Sequence, residues 1–405
     1  MSSPVYAGLS IGSDNIALVV RSESNEKVSL YRMPLVALRL DGVEHKMFMS
    51  KFQATYAKIG NSSYILGKDA FSLAGVFPKA EQVRPIVNGL INSAENDSIE
   101  LLLSFIRKLL SRSPVTITEV VFTIPAPSVA NIDSTYHRQV VEYLMEQLNI
   151  KCSAVYDVHA SAYTLLSDED MTGINVESGY NVTSICFNYL NVPAITFSIP
   201  FGTQFLEESV CRDLGVSARD ARKFIEQYNA KEQLPVSKML AVKAGMDRFV
   251  SEFLYKLRSA LDSRKANLIT YDNPVVLALS GGAFMNTLIR DELSEGIIQI
   301  IQSVSLNKIK GTQVSPNPQW SAASGAFMLA ISDIQEVSEE QQITQEVLEP
   351  LKLDTNQAPD EIQLEPQQPV VLATPSEQEH LQIEQESLEV LPQTNAQESD
   401  AGSEE

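Results

Sequence analysis

Two short turns combine glycine with small polar residues, the residue types that suit contact with a phosphate. The first is Gly12-Ser13-Asp14-Asn15, and the second is Ser178-Gly179-Tyr180-Asn181. Each stands between two short apolar runs, which predicts a hairpin between two strands. A tight turn of this kind can direct backbone N–H groups at a phosphate. Taken alone, each turn favours a plain hairpin connection. Its position among the other segments of the chain is what favours phosphate binding.

The elements around the second turn are those of a phosphate-binding half-domain. The apolar run at 120–124 stops at Pro125, which predicts a short buried strand. Apolar residues then recur at helical spacing between Asp133 and Leu148, and the second hairpin follows at 174–187. Strand, helix, strand and hairpin in this order favour an α/β protein over a helical bundle or a β-sandwich.

The first turn lies among three predicted strands, at Val5 to Leu9, Ile16 to Val20 and Val28 to Tyr31. A helix is predicted from Ile99 to Leu110, with basic residues at its C-terminal end.

The C-terminal half of the globular part shows helix signals. Two helices broken at Gly215 are predicted after Gln204, the second with Ser217 as its N-cap. A long amphipathic helix is predicted over 236–262, and a buried strand over 274–279. Small residues after Trp320 predict a last helix that packs closely.

Charge divides the chain into a near-neutral body and an acidic tail. The net charge is −20 over 405 residues. From Gln335 onward there are 18 acidic residues and a single base, Lys352. A chain segment rich in glutamine, glutamate and proline cannot bury enough apolar surface to offset its ordering entropy, so 335–405 is predicted to be disordered.

Two similar pieces of the tail, QEVLEPL at 345–351 and QESLEVLP at 385–392, have two interpretations. Low-complexity coincidence is slightly favoured. A pair of docking motifs for a protein partner is the alternative, and linked binding would strengthen it.

Composition also excludes some classes of protein. No basic stripe points to nucleic acid, and no apolar run is long enough for a transmembrane segment. The N-terminus lacks the pattern of a secretory signal. Cys152, Cys186 and Cys211 lack metal-ligand spacing, as do the four histidines, so thiols in a reducing cytoplasm are expected.

Eight segments occur in a fixed order along the chain. They are AGLSIGSDN, VRPIVNGLIN, FTIPAPS, VYDVHASAY, INVESGYNVTS, IPFGTQF, LALSGGAFMNTL and WSAASGAFMLA. In this order they resemble the actin and heat-shock chaperone ATPase superfamily, and most closely its bacterial MreB branch. The resemblance covers about residues 5 to 332, and a secondary similarity to the cell-division protein FtsA and the pilus adaptor PilM lies around 202–224.

The resemblance implies a two-lobed actin-like (ribonuclease H-like) α/β fold, with mixed sheets flanked by helices and a nucleotide between the lobes. Lobe I would comprise 1–150 with 319–334, including a small inserted subdomain at 33–80. Lobe II would comprise 151–318, followed by the disordered tail at 335–405.

The same resemblance implies the binding residues for ATP. The first turn would hold phosphate through Gly12, Ser13 and Asn15, and the second through Gly179, Tyr180 and Asn181. Gly202 and Thr203 would close over the phosphates. A loop without bulky side chains would take the adenosine, and it consists of Ser280, Gly281, Gly282 and Ala283.

Several positions depart from the family pattern. Ser10 and Asn175 stand where the family has aspartates that hold Mg²⁺ through water, and neither brings a negative charge to the cation. Glu177 replaces a glycine, and Ile225 replaces a lysine beside the adenine. Asp157 keeps a family acidic position near the metal.

The catalytic assignment is less direct than the binding assignment. Asp133 or Thr135 lies near the place of the acid that orients the attacking water, and Asp133 is at least as well explained as a helix N-cap. The resemblance therefore implies a weak ATPase or a pseudo-ATPase.

Three functions remain open from the sequence. The first is an MreB-like filament protein in the cytoplasm that self-associates with ATP and Mg²⁺ bound. The second is a PilM-like adaptor that does not hydrolyse nucleotide and recruits partners through its surface and tail. The third, a chaperone-like ATPase, is weakest because no substrate-binding domain follows residue 334. A sugar kinase is weaker still, because no catalytic aspartate or sugar pocket can be placed.

Overall fold

The structure is a computed structural model that describes residues 5–22, 25–40, 54–77, 80–130 and 133–332. All of these residues belong to one compact unit. The tail, with its predicted disorder and its two candidate docking motifs, lies outside the described residues.

The first lobe is built on a five-stranded mixed sheet with the strand order β11-β10-β1-β2-β3. Strands β1, β2 and β3 form an antiparallel meander, and β10 and β11 add to β1 in parallel. The strands are β1 (Tyr6–Ile11), β2 (Asn15–Ser22), β3 (Asn25–Pro34), β10 (Glu119–Ile124) and β11 (Lys151–Tyr156). Because β11 pairs with β10 along its whole length, this sheet extends past the lobe boundary predicted at residue 150.

Helices cover both faces of the first sheet. Leucines and phenylalanine of α2 (Ser98–Leu110) and apolar residues of α3 (Thr135–Glu146) fill the core on one face. On the other face, Ala323 and Phe327 of the last helix, α9 (residues 321–332), pack against β2. The predicted helix at 99–110 and the predicted close-packed last helix are therefore confirmed.

A second, four-stranded sheet has the order β5-β6-β4-β7, and its strands fall in the predicted insertion at 33–80 except β7, which follows it. Its strands are β4 (Ala37–Leu40), β5 (Tyr56–Ile59), β6 (Ser62–Leu66) and β7 (Glu81–Val83), with helix α1 (Lys68–Leu73) beside them. This sheet has a small apolar core of its own around Leu38 and Ile65. The two-stranded hairpin β8 (Ile86–Val87) and β9 (Leu90–Ile91) follows it.

The second lobe repeats the plan of the first. Its sheet has the order β14-β13-β12-β15-β16, again an antiparallel meander extended by parallel strands. The strands are β12 (Gly173–Ser178), β13 (Thr183–Tyr189), β14 (Val192–Ile199), β15 (Val275–Ser280) and β16 (Ile309–Val314). In both lobes, the hairpin between the first two strands of the meander carries one of the two glycine turns.

Five helices belong to the second lobe and its junction with the first. They are α4 (Asp157–Leu165), α5 (Gln204–Leu214), α6 (Ala218–Asn229), α7 (Val236–Asp262) and α8 (Thr287–Ser305). Helix α5 ends just before Gly215, which adopts a left-handed conformation with a φ of 62° and separates α5 from α6. Ser217 then caps α6 by accepting a hydrogen bond from the Asp220 N–H, so the predicted break, the N-cap and the 236–262 helix are confirmed.

Short 3₁₀ helices complete the described part of the chain. They are Ser167–Glu169, Lys265–Asn267, Gly282–Met285 and Pro318–Trp320.

Candidate functional site

The two glycine turns are closed hairpins at the junction between the lobes. In the first turn the Gly12 N–H donates to the Asn15 carbonyl at 3.0 Å, and in the second the Gly179 N–H donates to the Val182 carbonyl at 2.8 Å. Ser13 anchors the first turn, because its Oγ accepts from the Gly89 N–H of the β8–β9 hairpin at 2.9 Å.

Gly202 packs directly on the backbone of the second turn. A Cβ at Gly202 would lie 2.5 Å from the carbonyl oxygens of both Gly179 and Tyr180, so a side chain is excluded. The N–H groups of Thr203 and Gln204 donate to these same carbonyls at 3.1 and 2.8 Å. The structure thus brings the second turn and the predicted closing turn together.

The predicted adenosine loop also joins this cluster. Gly281 has a φ of 91°, and a Cβ there would lie 2.4 Å from the Ser178 carbonyl oxygen. Only glycine meets both conditions. Ser280 pairs in register with Glu177, and Gly282 and Ala283 begin the 3₁₀ helix that follows. The missing side chains of Gly202 and Gly281 therefore allow three backbone segments to pack together at the end of β12.

Asp14, at the tip of the first turn, joins the two lobes through arginine. The guanidinium of Arg222, from α6 in the second lobe, donates Nη2 to Asp14 Oδ1 at 2.9 Å and Nη1 to Oδ2 at 3.2 Å. Arg84, which precedes β8 in the first lobe, donates to Asp14 Oδ1 at 3.2 Å. Arg222 therefore binds the Asp14 carboxylate in a bidentate manner, and Arg84 binds it as a second arginine.

Two residues of the second lobe complete this group. Arg222 Nε donates to Glu207 Oε2 at 3.0 Å, and the Tyr180 hydroxyl donates to Glu207 Oε1 at 3.2 Å. Arg84 and Arg222 stand 5.0 and 5.3 Å from the centre of the Tyr180 ring, within cation–π range. We call Asp14, Arg84, Tyr180, Glu207 and Arg222 the cleft clasp.

The charges of the clasp balance one another. Burial alone would raise the pKa of Asp14, but Arg222 and Arg84 more than offset this and lower that pKa. Burial lowers the pKa of Arg222, but the Asp14 and Glu207 carboxylates raise it further. Asp14 and Arg222 therefore stay charged near neutral pH, although about three-quarters or more of each side chain is covered.

A second polar group lies at the start of α4 and on the facing surface of β12. Asp157 and Glu177 interact there as two carboxylates, which we call the carboxylate pair. Burial raises the pKa of both, and the charge of Asp157 raises the pKa of Glu177 further. Ser184 and Ser280 flank Glu177 in register on the neighbouring strands. None of the salt bridges among the described residues involves Asp157 or Glu177.

Asn175 lies two residues before Glu177 and therefore on the same face of β12. It is fully buried, and its Nδ2 donates to the Val158 carbonyl at 2.6 Å and to Ser161 Oγ at 2.8 Å. Its Oδ1 has no hydrogen-bond partner within the described ranges, whereas the Ser184 hydroxyl hydrogen-bonds to the Asp157 carboxylate. A buried oxygen without a partner is unusual in a folded protein, and an ion or a water is one explanation for it.

The other predicted residues make separate contacts, and one of them, Asn15, donates Nδ2 to Asp14 Oδ2 at 2.7 Å. Asp133 is exposed, and its Oδ1 accepts from the N–H and the hydroxyl of Thr135 at 2.8 and 2.7 Å. These are the contacts of a turn just before α3, whose N-cap is Ser134. Ile225 packs against the apolar core of the second lobe. Ser10 pairs with Ala17 within the β1–β2 ladder, and Asn181 contacts the side chain of Gln204.

Sequence reasoning missed the arginines and Glu207. Asp14 was seen as part of the first turn, but Arg84, Glu207 and Arg222 were not among the expected site residues. Arg222 is 208 positions from Asp14, and no local spacing signals such a pair. Within the described part of the chain, no group of three or more histidine, cysteine or acidic side chains is arranged to hold a metal ion. None of the described helices has the length and apolarity needed to cross a bilayer.

Comparison with solved structures identifies the fold. The chain is similar to MamK in a double helical filament, with a TM-score of 0.58 and 15% identity over 81% of this chain and 99% of that one. It is also similar to MreB 5 of Spiroplasma citri bound to AMPPNP, with a TM-score of 0.55 and 12% identity over 84% of this chain and all of that one (100%). The predicted actin-like fold of the MreB type is therefore confirmed.

Sequence comparison gives the family. A comparison with curated proteins found no match. A model of the Volactin family matches residues 5–330, which is most of the 405-residue chain. The chain belongs to the Volactin family.

Proposed function

We propose that the protein is an actin-like cytoskeletal protein whose subunits self-associate into filaments. The observation that carries this proposal is the two-lobed fold, shared over most of the chain with MamK in its filament and with MreB 5. The two sheets of equal strand order supply the rigid lobes that such a subunit needs. A location in the cytoplasm is part of the proposal and rests on the free cysteines.

We further propose that ATP binds at the junction of the lobes. Two hairpin turns, Gly202 and the loop at 280–283 come together at the end of β12, and turns of this kind can direct backbone N–H groups at a phosphate. MreB 5, which shares the fold, is bound to AMPPNP. The residues proposed to contact the nucleotide are Gly12, Ser13, Asn15, Gly179, Tyr180, Asn181, Gly202, Thr203, Ser280, Gly281, Gly282 and Ala283.

The residues around β12 fit a magnesium ion. Asp157 and Glu177 offer carboxylate oxygens, and the unpaired Asn175 Oδ1 is a further oxygen ligand. Magnesium prefers oxygen ligands and keeps several of its waters, so one or two carboxylates suffice. When bound, the ion would neutralise phosphate charge. Asp157 and Glu177 would hold it, and its charge would lower the pKa of both.

A second candidate function is a scaffold that does not hydrolyse nucleotide. It is favoured by Asp133, whose exposed carboxylate is engaged by Thr135 at the start of α3. The acidic tail would then recruit a protein partner. In this case filaments or complexes would form without turnover of ATP.

Sedimentation with electron microscopy tests the proposal. The full-length protein is spun with no nucleotide, with ATP, and with ATP and magnesium, and the pellets are imaged. Filaments in any of these conditions support self-association, and a dependence on ATP supports the nucleotide-linked form. A protein that stays monomeric in all three conditions, over a wide range of protein concentration and salt, would contradict it. Phosphate release measured in the same samples separates the filament-forming ATPase from the scaffold.

A further inference from the structure

The carboxylate of Asp14 is bound as a small anion would be. It sits at the tip of the first turn, between the residues proposed to contact phosphate. Two of its contacts form the planar fork of Arg222, at 2.9 and 3.2 Å, a third comes from Arg84 at 3.2 Å, and a fourth comes from Asn15 Nδ2 at 2.7 Å. Planar forks of this kind bind carboxylate and phosphate with the same geometry.

The two arginines lie on opposite sides of the junction. Arg84 comes from the first lobe and also donates to the Ser13 carbonyl at 3.0 Å, and Arg222 comes from the second lobe. The Tyr180 ring of the second turn lies within 5.3 Å of both guanidinium carbons, so both arginines are also held at the second turn. An anion between these two guanidinium groups therefore contacts both proposed phosphate turns.

The local balance of charge favours an anion of higher charge than one carboxylate. Arg32 adds a third positive group that interacts with Asp14, and its own side chain is held by Gln319. Against three arginines stand Asp14 and Glu207. The side chains of Asp14, Arg84 and Arg222 keep about a fifth to a quarter of their surface exposed, so a ligand can reach them.

We propose that Arg84 and Arg222 form a clamp for the polyphosphate of a nucleotide, and that the Asp14 carboxylate is a built-in competitor that occupies the clamp until the polyphosphate displaces it. This inference rests on the nucleotide binding proposed above. The two guanidinium groups supply positive charge at the turns without a metal, so part of the affinity for polyphosphate is independent of magnesium. Once displaced, Asp14 turns towards solvent, and the lobes stay joined through the bound anion.

Calorimetric titration with inorganic tripolyphosphate in EDTA tests the clamp without a nucleoside or a metal. Asp14→Asn keeps the shape of the side chain and removes the competing charge. We expect about a tenfold gain in affinity over wild type, because a negative charge within the fork no longer competes. Arg222→Lys, placed in the Asp14→Asn background, should lose most of that gain because lysine lacks the fork. Asp213→Asn is the matched control, since Asp213 pairs with Arg248 at the surface of the second lobe.

Equal affinity of wild type, Asp14→Asn and Asp213→Asn for tripolyphosphate would overturn the clamp and leave Asp14 as a structural ion pair only. A second measurement needs no variant: tripolyphosphate in EDTA should raise the melting temperature of the wild-type protein, whereas sodium chloride at equal ionic strength should not. No rise at millimolar tripolyphosphate would likewise count against the clamp.

A parallel titration with ATP distinguishes a nucleotide from free polyphosphate as the ligand, because contacts with residues 280–283 should make ATP bind tighter than tripolyphosphate. Filament formation is scored separately by sedimentation, so a failure of the clamp and a failure of assembly are distinguishable.

Discussion

The cleft clasp and the carboxylate pair lie at the same junction and treat negative charge in opposite ways. In the clasp, Asp14 faces two arginines, and its pKa is lowered despite burial. In the pair, Asp157 and Glu177 face each other, and the pKa of both is raised. The charge state of a buried acid therefore depends on the groups that it contacts more than on its place in the fold. A neighbouring opposite charge favours the ionised form, and a like charge or burial disfavours it.

The same contrast bears on ligand binding. The clasp carries its own counter-charges, so it is complete without a ligand and an anion must compete for it. The carboxylate pair lacks a cation among the described residues, and a proton or a metal ion would complete it. In the proposed site, the cleft clasp therefore holds the Asp14 carboxylate in the place of a phosphate, whereas the carboxylate pair could bind a proton or a cation.

Breaking the clasp should have the largest effect on stability. Arg222→Met leaves Asp14 and Glu207 without their shared partner, and we expect a loss of about 2–4 kcal/mol in the free energy of unfolding because most of the pair is covered. Urea denaturation measures it. Arg248→Met is the control, since its partner Asp213 lies at the surface and the loss should be under about 1 kcal/mol. Equal losses for the two variants would show that the clasp does not differ from a surface ion pair.

A buried histidine outside the junction provides a test of how burial alone makes the stability of the protein depend on pH. His137 in α3 is 1% exposed, neither ring nitrogen has a partner in the described part of the chain, and burial lowers its pKa from 6.5 to about 4. The unfolded chain takes up this proton first as the pH falls, so the free energy of unfolding of the wild type should fall by about 3 kcal/mol between pH 6.5 and about pH 4.

His137→Leu should remove this loss, and Gln139→Leu, on the exposed face of the same helix, should keep it. Thermal unfolding across this pH range gives the result. An unchanged pH profile in His137→Leu would mean that His137 is not neutral in the folded protein.

Removing charge from the carboxylate pair should raise the stability of the protein, whereas breaking the cleft clasp should lower it. The folded pKa of Glu177 is raised, so the folded state binds this proton more tightly than the unfolded state, and stability contributed by the site falls as the pH rises through the folded pKa. Glu177→Gln should therefore stabilise the protein by about 1 kcal/mol near neutral pH in EDTA. Glu142→Gln, which opens a surface pair with Arg138, serves as the control. A loss of stability in Glu177→Gln would contradict the raised pKa.

The tail should have the smallest effect, and only on assembled protein. If filaments form, the net charge of −17 that the sequence places after residue 334 would hang from their sides and limit bundling. Truncation after residue 334 should increase bundling at low salt, as seen by electron microscopy. Equal bundling of truncated and full-length filaments would refute this role.

The sequence predicted the features that depend on local pattern. The hairpin turns at Gly12 and Gly179, the break at Gly215 and the helix at Val236–Asp262 follow from glycine position, capping and apolar spacing. The actin-like fold came from the order of eight segments rather than from any one of them.

The sequence did not predict features that depend on contact between distant segments. Arg222 and Asp14 meet across 208 positions, and neither segment carries a sign of the other. The sequence shows Glu177 only as a replacement of a family glycine, and its interaction with Asp157 depends on how α4 lies against β12. The pairing of β11 with β10 also joins separate segments of the chain.

Calorimetric titration of the wild-type protein with ATP, once with magnesium and once in EDTA, tests the central claim most directly. If arginines supply part of the positive charge at the proposed site, ATP should bind in both buffers, with affinity reduced but retained in EDTA. No binding in either buffer, or binding that vanishes entirely without magnesium, would contradict the account.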